Sequence, residues 1–199
     1  MRRLVLASAS PARLALLRQA GLAPEVVVSD VDESAVTAPR VAERVALLAA
    51  AKANAVAARE TDALVVGADS LLEFRGTAMG KPDDAAEART RWELLAGSSG
   101  VLHTGQALLE VVDGTVVGRD VAVVSTTVHF ARPTARELTA YLDTGEPLAV
   151  AGAFTLDGLG ASFVRRVEGD PAAVVGLSLA TLRTQLAARG VTITDLWQR

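Results

Sequence analysis

The run Ala63-Leu64-Val65-Val66-Gly67-Ala68 is apolar throughout, with no polar alternation. A half-buried strand would alternate, so the pattern predicts a central strand covered on both faces, the habit of α/β sheets. The run ends at Asp69-Ser70. A carboxylate is therefore expected at the carboxyl end of the strand, where open α/β sheets place their ligands. The plainer alternative is a turn, since Asp is common in turns.

A second constraint lies near the N-terminus. Leu4-Val5-Leu6 reads as a strand, and Ser10-Pro11 follows after a turn of small residues. Ser10 sits where an N-cap belongs, and Pro11 takes the first helical position, where its missing N–H costs nothing. A helix is expected over 11–20, with Gly21 as its stop. Its free N–H groups and positive dipole end form an anion site. Arg13 in the first turn adds a full charge and a planar fork of donors suited to phosphate. It falls beside Leu16, Leu17 and Ala20 on the face that should turn inward. The plainer alternative is a capped helix with a solvated arginine.

Further along, 25–29 reads as a strand that runs into Asp30, Asp32 and Glu33. These carboxylates could hold a divalent cation through oxygen ligands, or simply form a solvated loop. Pro39 opens an Ala-rich helix to about Arg59, with Val41, Val45, Leu48 and Val56 as its inward stripe. Lys52 falls in that stripe. There it must be paired, face a cleft, or snorkel outward along its stem. A short strand at 71–74 and a turn at Arg75-Gly76 follow. In Met79-Gly80-Lys81-Pro82, Gly80 allows an unusual backbone angle and Pro82 fixes the exit, so that Lys81 is expected to be presented from a constrained loop.

A helix over 83–95 precedes two long strands, 101–112 and 115–130, joined at Asp113-Gly114. His103 reads as a hydrogen-bonder at a loop end, and His129 falls on the opposite face from Phe130; neither is expected to be catalytic. Thr134 caps a helix over 135–143. Gly152, Gly158 and Gly160 permit close approach of a flat ligand or of another backbone. A strand over 162–167, a turn at 168–171 and a final helix over 177–188 complete the chain.

The 199 residues suffice for one domain, or one domain of two lobes. With 50% hydrophobic but 4% aromatic residues, the core is expected to consist of Val, Leu and Ala. A net charge of −3 without a basic run argues against a nucleic-acid partner. The absence of cysteine excludes disulfides and thiolate metal sites. Arg2 and Arg3 precede too short an apolar run for a signal peptide, and no apolar stretch has the length of a membrane span. A cytoplasmic protein with no membrane partner is the expectation.

Taken in order, Leu6-Ala7-Ser8 through Leu17, Asp32-Glu33, Lys52-Ala53, Gly67-Ala68-Asp69-Ser70, Gly80-Lys81-Pro82, Thr104-Gly105, Ala151-Gly152-Ala153-Phe154, Gly158-Leu159-Gly160 and Val174-Val175-Gly176-Leu177 resemble the Maf family of nucleoside triphosphate pyrophosphatases. The resemblance covers nearly the whole chain, 1–199, as a single domain. It implies an α/β fold with an elongated mixed β-sheet flanked by helices, two lobes around a cleft, and kinship with inosine triphosphate pyrophosphatase. It implies hydrolysis of a nucleoside triphosphate to monophosphate and pyrophosphate in nucleotide-pool house-cleaning, with Mg2+ or Mn2+, and it leaves room for a homodimer. The family's association with cell-division arrest supplies the alternative, a nucleotide-binding regulator without turnover.

The family roles fall on Asp69, Lys52 and Lys81 for catalysis and on Glu33 with Asp69 for metal. Ser8, Ser10, Ala12, Arg13, Ser70 and Asp157 are left for substrate. Ala12 stands where the family often has Arg, Asp157 where many members have Gln, and Ser178 where a Pro is common. An ionised Asp is acceptor-only. It matches the adjacent N1–H and N2–H donors of guanine and repels the carbonyls of uracil and thymine. A preference for guanine-type or modified purine triphosphates, such as 7-methylguanosine triphosphate, over dTTP and UTP is the resulting expectation. The Ser178 difference should affect only the start of a helix.

Overall fold

A computed structural model describes residues 2–198. The chain runs β1 (Leu4–Ala7), α1 (Pro11–Gln19), β2 (Glu25–Val26), α2 (Val41–Ala57), β3 (Ala63–Phe74), β4 (Thr77–Met79) and α3 (Ala85–Leu95). It continues with β5 (Ser99–Val112), β6 (Thr115–Phe130), α4 (Ala135–Asp143), β7 (Val164–Glu168), α5 (Pro171–Val175) and α6 (Leu179–Ala187), with short 3-10 turns between. The seven strands form one mixed sheet in the order β2-β1-β3-β5-β6-β7, with β4 paired to β3. β1 runs parallel to β2 and β3, whereas the β3–β4 and β6–β7 pairs are antiparallel. The chain divides into two compact units. The first holds the described residues of Met1–Asp69, Thr104–Val124 and Gly176–Arg199, and the second holds Ser70–His103 and Ser125–Val175.

In the first unit the sheet is buried on both faces, as the run at 63–68 requires. Leu4 and Leu6 of β1 join Leu64, Val66 and Ala68 of β3 against Leu17, Leu182 and Leu186 of α1 and α6. The alternate residues Val5, Ala7, Ala63 and Val65 pack against Ala49, Ala53 and Val56 of α2. Gly67 and Gly105 let α2 approach this closely: a Cβ on Gly67 would stand 2.4 Å from the Ala49 carbonyl oxygen, and one on Gly105 2.1 Å from that of Val45. Both obstacles are helix backbone and cannot rotate away. Gly67→Ala should therefore destabilise the protein by about 3 kcal/mol, the upper end of core overpacking, and lift the α2 turn that carries Lys52. Urea unfolding measures the first effect and loss of turnover the second.

The second unit has a different core. Six of the chain's seven aromatic residues lie in it, so the expectation of a Val, Leu and Ala core holds only for the first unit. Trp92 of α3 sits at its centre, with the rings of Phe130, Tyr141 and Phe163 edge-on at 5.7, 6.0 and 5.8 Å. Its indole N–H donates to the Ala153 carbonyl at 2.7 Å. Low aromatic content thus reflects concentration in one place.

Several local expectations match the structure. Ser10 accepts from the Arg13 N–H, Pro11 opens α1, and Gly21 closes it at φ 81°. Thr134 and Glu137 form a reciprocal capping box at α4. Asp113 and Gly114 turn the β5–β6 hairpin at φ 48° and 73°. Ser178 caps α6, as the Pro-to-Ser difference suggests, and its N–H also donates to Gln106 Oε1 at 2.9 Å, a bond proline cannot make.

Others need correction. β3 does not stop at Ala68 but continues through Asp69 and Ser70 to Phe74, so Asp69 is mid-strand. No Gly or Pro follows it to break the extended backbone, and its carboxylate is satisfied by Lys52 rather than by turn N–H groups. The strand expected over 25–29 keeps only Glu25–Val26 in the ladder. Gly80 has no positive φ, and a Cβ there would meet only the Leu71 side chain at 3.6 Å. The loop is held instead through the Gly80 carbonyl, which accepts from the Gly152 N–H at 3.0 Å and from Arg91. Residues 159–163 form a 3-10 turn ahead of β7.

Candidate active site

Two side-chain clusters gather in the first unit. One stands where β1 meets α1. Ser8, almost fully buried, accepts from the Ser10 N–H at 3.2 Å and from Arg13 Nη1 at 3.1 Å. Arg13 Nε donates to the Gly176 carbonyl at 2.8 Å. Arg13 is thus not the solvated arginine of the plainer reading. It is locked by two oxygens at the N-terminus of α1, with Ala12 beside it in the same turn. Burial draws the guanidinium below its ordinary pKa, and the charges of Asp69 and Glu33 draw it back up. The Gly176 carbonyl, which no local sequence signal marks as a partner, orients Arg13. A Cβ on Gly176 would come within 3.1 Å of Nε, at a φ of 127° that favours glycine.

The second cluster is centred on Lys52. The residue is 8% exposed on the inner face of α2, and its ammonium contacts Asp69 Oδ1 at 2.7 Å and Glu33 Oε1 at 2.6 Å. Lys52 is therefore paired and does not snorkel. Asp69 is buried, and burial pushes its carboxyl above the usual carboxylate range even though Lys52 and Arg13 oppose the shift. A buried carboxyl with raised basicity beside a cation is the pattern of a proton-accepting group.

The acidic loop does not converge. Asp32 caps a 3-10 turn by accepting from the Ser34 N–H at 3.0 Å and from the Ser34 hydroxyl, Asp30 lies 3.7 Å from Arg59, and only Glu33 reaches Lys52. Among the described residues no group of three or more His, Cys, Asp or Glu side chains gathers around one point. What the first unit offers a metal is the pair Glu33 and Asp69, which already share one cation. Carboxylate oxygens are the hard donors that Mg2+ takes.

Lys81, Ser70 and Asp157 belong to the second unit. Lys81 is exposed beside Pro82, Ser70 is partly buried, and Asp157 is exposed at the tip of the turn at 156–158. His103 is a hydrogen-bonder, as expected: its ring nitrogens contact Ser125 Oγ at 2.8 Å and Glu73 Oε2 at 3.0 Å. His129 lies 3.1 Å from Glu168 on the surface. The glycines of the 151–160 segment are filled by the chain itself, since Cβ atoms at Gly152, Gly158 and Gly160 would meet Leu72, Glu146 and Tyr141 respectively.

Among the described residues no helix is long and apolar enough to cross a membrane. A family profile described as "Maf-like protein" matches residues 3–189. The chain is similar to a protein of Streptomyces coelicolor, 55% identical over 98% of this chain and 95% of that one. It is similar to one of Salinispora tropica, 54% identical over 99% and 88%, and to one of Mycolicibacterium vanbaalenii, 50% identical over the full length of both. Each of these relatives is named nucleoside triphosphate pyrophosphatase.

Proposed function

From the premise that this chain belongs to the Maf family, we propose that it hydrolyses a nucleoside triphosphate to the monophosphate and pyrophosphate. The observation that carries this reading is the buried Lys52 joined to Asp69 and Glu33, with Arg13 locked at the nearby helix N-terminus.

A nucleoside triphosphate brings about four negative charges. In the first unit Arg13 and Lys52 face two carboxylates, so the local charge is balanced before substrate arrives. Binding needs more positive charge. The N–H groups of α1, with Ser8, Ser10 and Arg13, receive phosphate oxygens. Glu33 and Asp69 would hold the divalent cation, Mg2+ or Mn2+. When bound, that ion neutralises phosphate charge and so eases departure of pyrophosphate. Asp69 orients a water and accepts its proton as the water attacks the α-phosphorus. Lys52 keeps Asp69 in place and stabilises negative charge as it develops. Two residues of the second unit take their roles from the family resemblance alone: Lys81 as a phosphate-neutralising cation and Asp157 as reader of the base. Such substrates form a cytoplasmic pool, so the cytoplasm is the proposed location.

With GTP and Mg2+, purified protein should release pyrophosphate and not orthophosphate, and a chelator should stop it. Orthophosphate alone, or full activity with chelator present, overturns the reading. For the base, Asp157 supports a preference for guanine-type triphosphates. Asp157→Gln should raise kcat/KM for UTP relative to GTP by about tenfold, the effect of one polar mismatch. A wild type that prefers UTP or dTTP, with no shift on substitution, ends that part of the proposal.

A further inference from the structure

Glu146 has no part in the roles above, yet it is the most heavily hydrogen-bonded carboxylate beside the turn that carries Asp157. It accepts from the Thr155 hydroxyl on one flank of that turn. On the other flank it accepts from the Leu159 N–H at 3.1 Å and the Gly160 N–H at 3.0 Å. The three residues between the flanks, Leu156, Asp157 and Gly158, form the tip, where Asp157 and Gly158 are exposed. One carboxylate thus ties the two ends of the turn together, beside a direct bond between them, from the Gly160 N–H to Thr155 Oγ1 at 3.1 Å.

The surrounding sequence is built for this approach. Cβ atoms at Gly158 and Gly160 would stand 2.7 Å from Glu146 Oε2 and 2.3 Å from the Tyr141 hydroxyl. Gly145, at φ 74°, starts the 3-10 turn that presents Glu146, and the Glu146 N–H donates to Thr144 Oγ1 at 3.2 Å. Burial alone would raise the Glu146 carboxyl, but hydrogen bonds from Thr155, Gly160 and Leu159 outweigh it and hold the group below the usual carboxylate range. It is therefore ionised and acceptor-only at neutral pH, which three converging donors require.

We infer that Glu146 is a positioning residue for base selectivity: by clamping 155 to 159–160 it fixes where the Asp157 carboxylate points. This rests on the reading of Asp157 as the residue that meets the base. A carboxylate on a loose turn can swing to suit several base edges; on a clamped turn it favours one donor pattern.

Glu146→Gln is nearly isosteric but sets an NH2 group against one of the donor N–H groups. Thr155→Val keeps the shape but removes a hydroxyl that both donates to Glu146 and accepts from the Gly160 N–H at 3.1 Å. Both proteins, with wild type and Asp157→Gln, would be assayed with GTP and UTP, and for product inhibition by GMP and by pyrophosphate. The clamp predicts that Glu146→Gln raises KM for GTP about tenfold with kcat within about twofold, and brings the GTP-to-UTP ratio of kcat/KM toward one. Inhibition by GMP should weaken, while inhibition by pyrophosphate, which has no base, should stay at the wild-type level. Thr155→Val should move the same quantities less.

If Asp157→Gln shifts the base ratio and Glu146→Gln does not, the clamp is overturned and the role of Asp157 stands. If neither shifts it, both fall. If Glu146→Gln weakens pyrophosphate inhibition as much as GMP inhibition and lowers the melting temperature, the residue only supports the fold and the inference is overturned.

Discussion

Asp69→Asn is expected to lower kcat by about 10²–10⁴ in a protein that folds normally, the usual effect of removing a positioned acid–base group. Asn keeps the size of the side chain and one acceptor oxygen, so Lys52 retains a partner; what disappears is the ability to take a proton from water. An effect confined to KM would show that Asp69 binds substrate and is not the base. The same variant carries a pH signature in stability. Burial raises the Asp69 carboxyl, so folding favours its protonated form. That contribution is fully present below the unfolded-state value of about 3.9 and is lost as pH rises through the higher folded-state value. Asn has no such loss. The unfolding free energy of Asp69→Asn should therefore gain on that of wild type between acid and neutral pH. Urea titrations at the two ends measure it, and parallel curves would contradict the assigned burial effect.

Lys52→Met is expected to cost about 3–5 kcal/mol of stability at neutral pH, the range for removing one partner of a buried ion pair. The Asp69 contact dominates. Its carboxylate side chain is 8% exposed, whereas that of Glu33 is 55% exposed and can return to water. Without the ammonium, Asp69 is a buried charge with one compensating cation fewer. The double variant Lys52→Met with Asp69→Asn should recover most of the loss, and a cycle of the four proteins isolates the pair. Turnover should also fall at a low temperature where the variant is still folded, because Lys52 also meets developing phosphate charge. Wild-type turnover in Lys52→Met would reduce the lysine to a structural counter-ion.

Much of the fold was legible in the sequence because its signals are local. The unalternating run at 63–68 demanded cover on both faces, and α1, α2 and α6 provide it. Ser10-Pro11, Thr134 and Asp113-Gly114 marked helix starts and a hairpin because each satisfies backbone groups within a few residues. The misreadings arose where a distant partner overrode a local preference. Asp69 reads as a strand end because the apolar run stops there, with a turn as the alternative; Lys52, from a helix seventeen residues earlier, satisfies it in mid-strand instead. Gly80 reads as a position that allows an unusual backbone angle, whereas it is its carbonyl, bonded to the Gly152 N–H, that holds the loop.

For the candidate site, sequence by itself determined the residue types. Lys52 on an inward stripe had to be paired or face a cleft, since an isolated ammonium is too costly to bury. Arg13 at a capped helix start suited phosphate, and the ordered motifs pointed to the family. Only the tertiary structure decided which carboxylates Lys52 meets, that Asp30 and Asp32 turn away, that the Gly176 carbonyl locks Arg13, and that Glu146 ties down the turn carrying Asp157. The physical reason is the same in each case. A side chain's chemistry is carried in its own atoms, but its partner is fixed by the packing of elements far apart in the chain, and the electrostatics of a buried group depends on that partner more than on its neighbours in sequence.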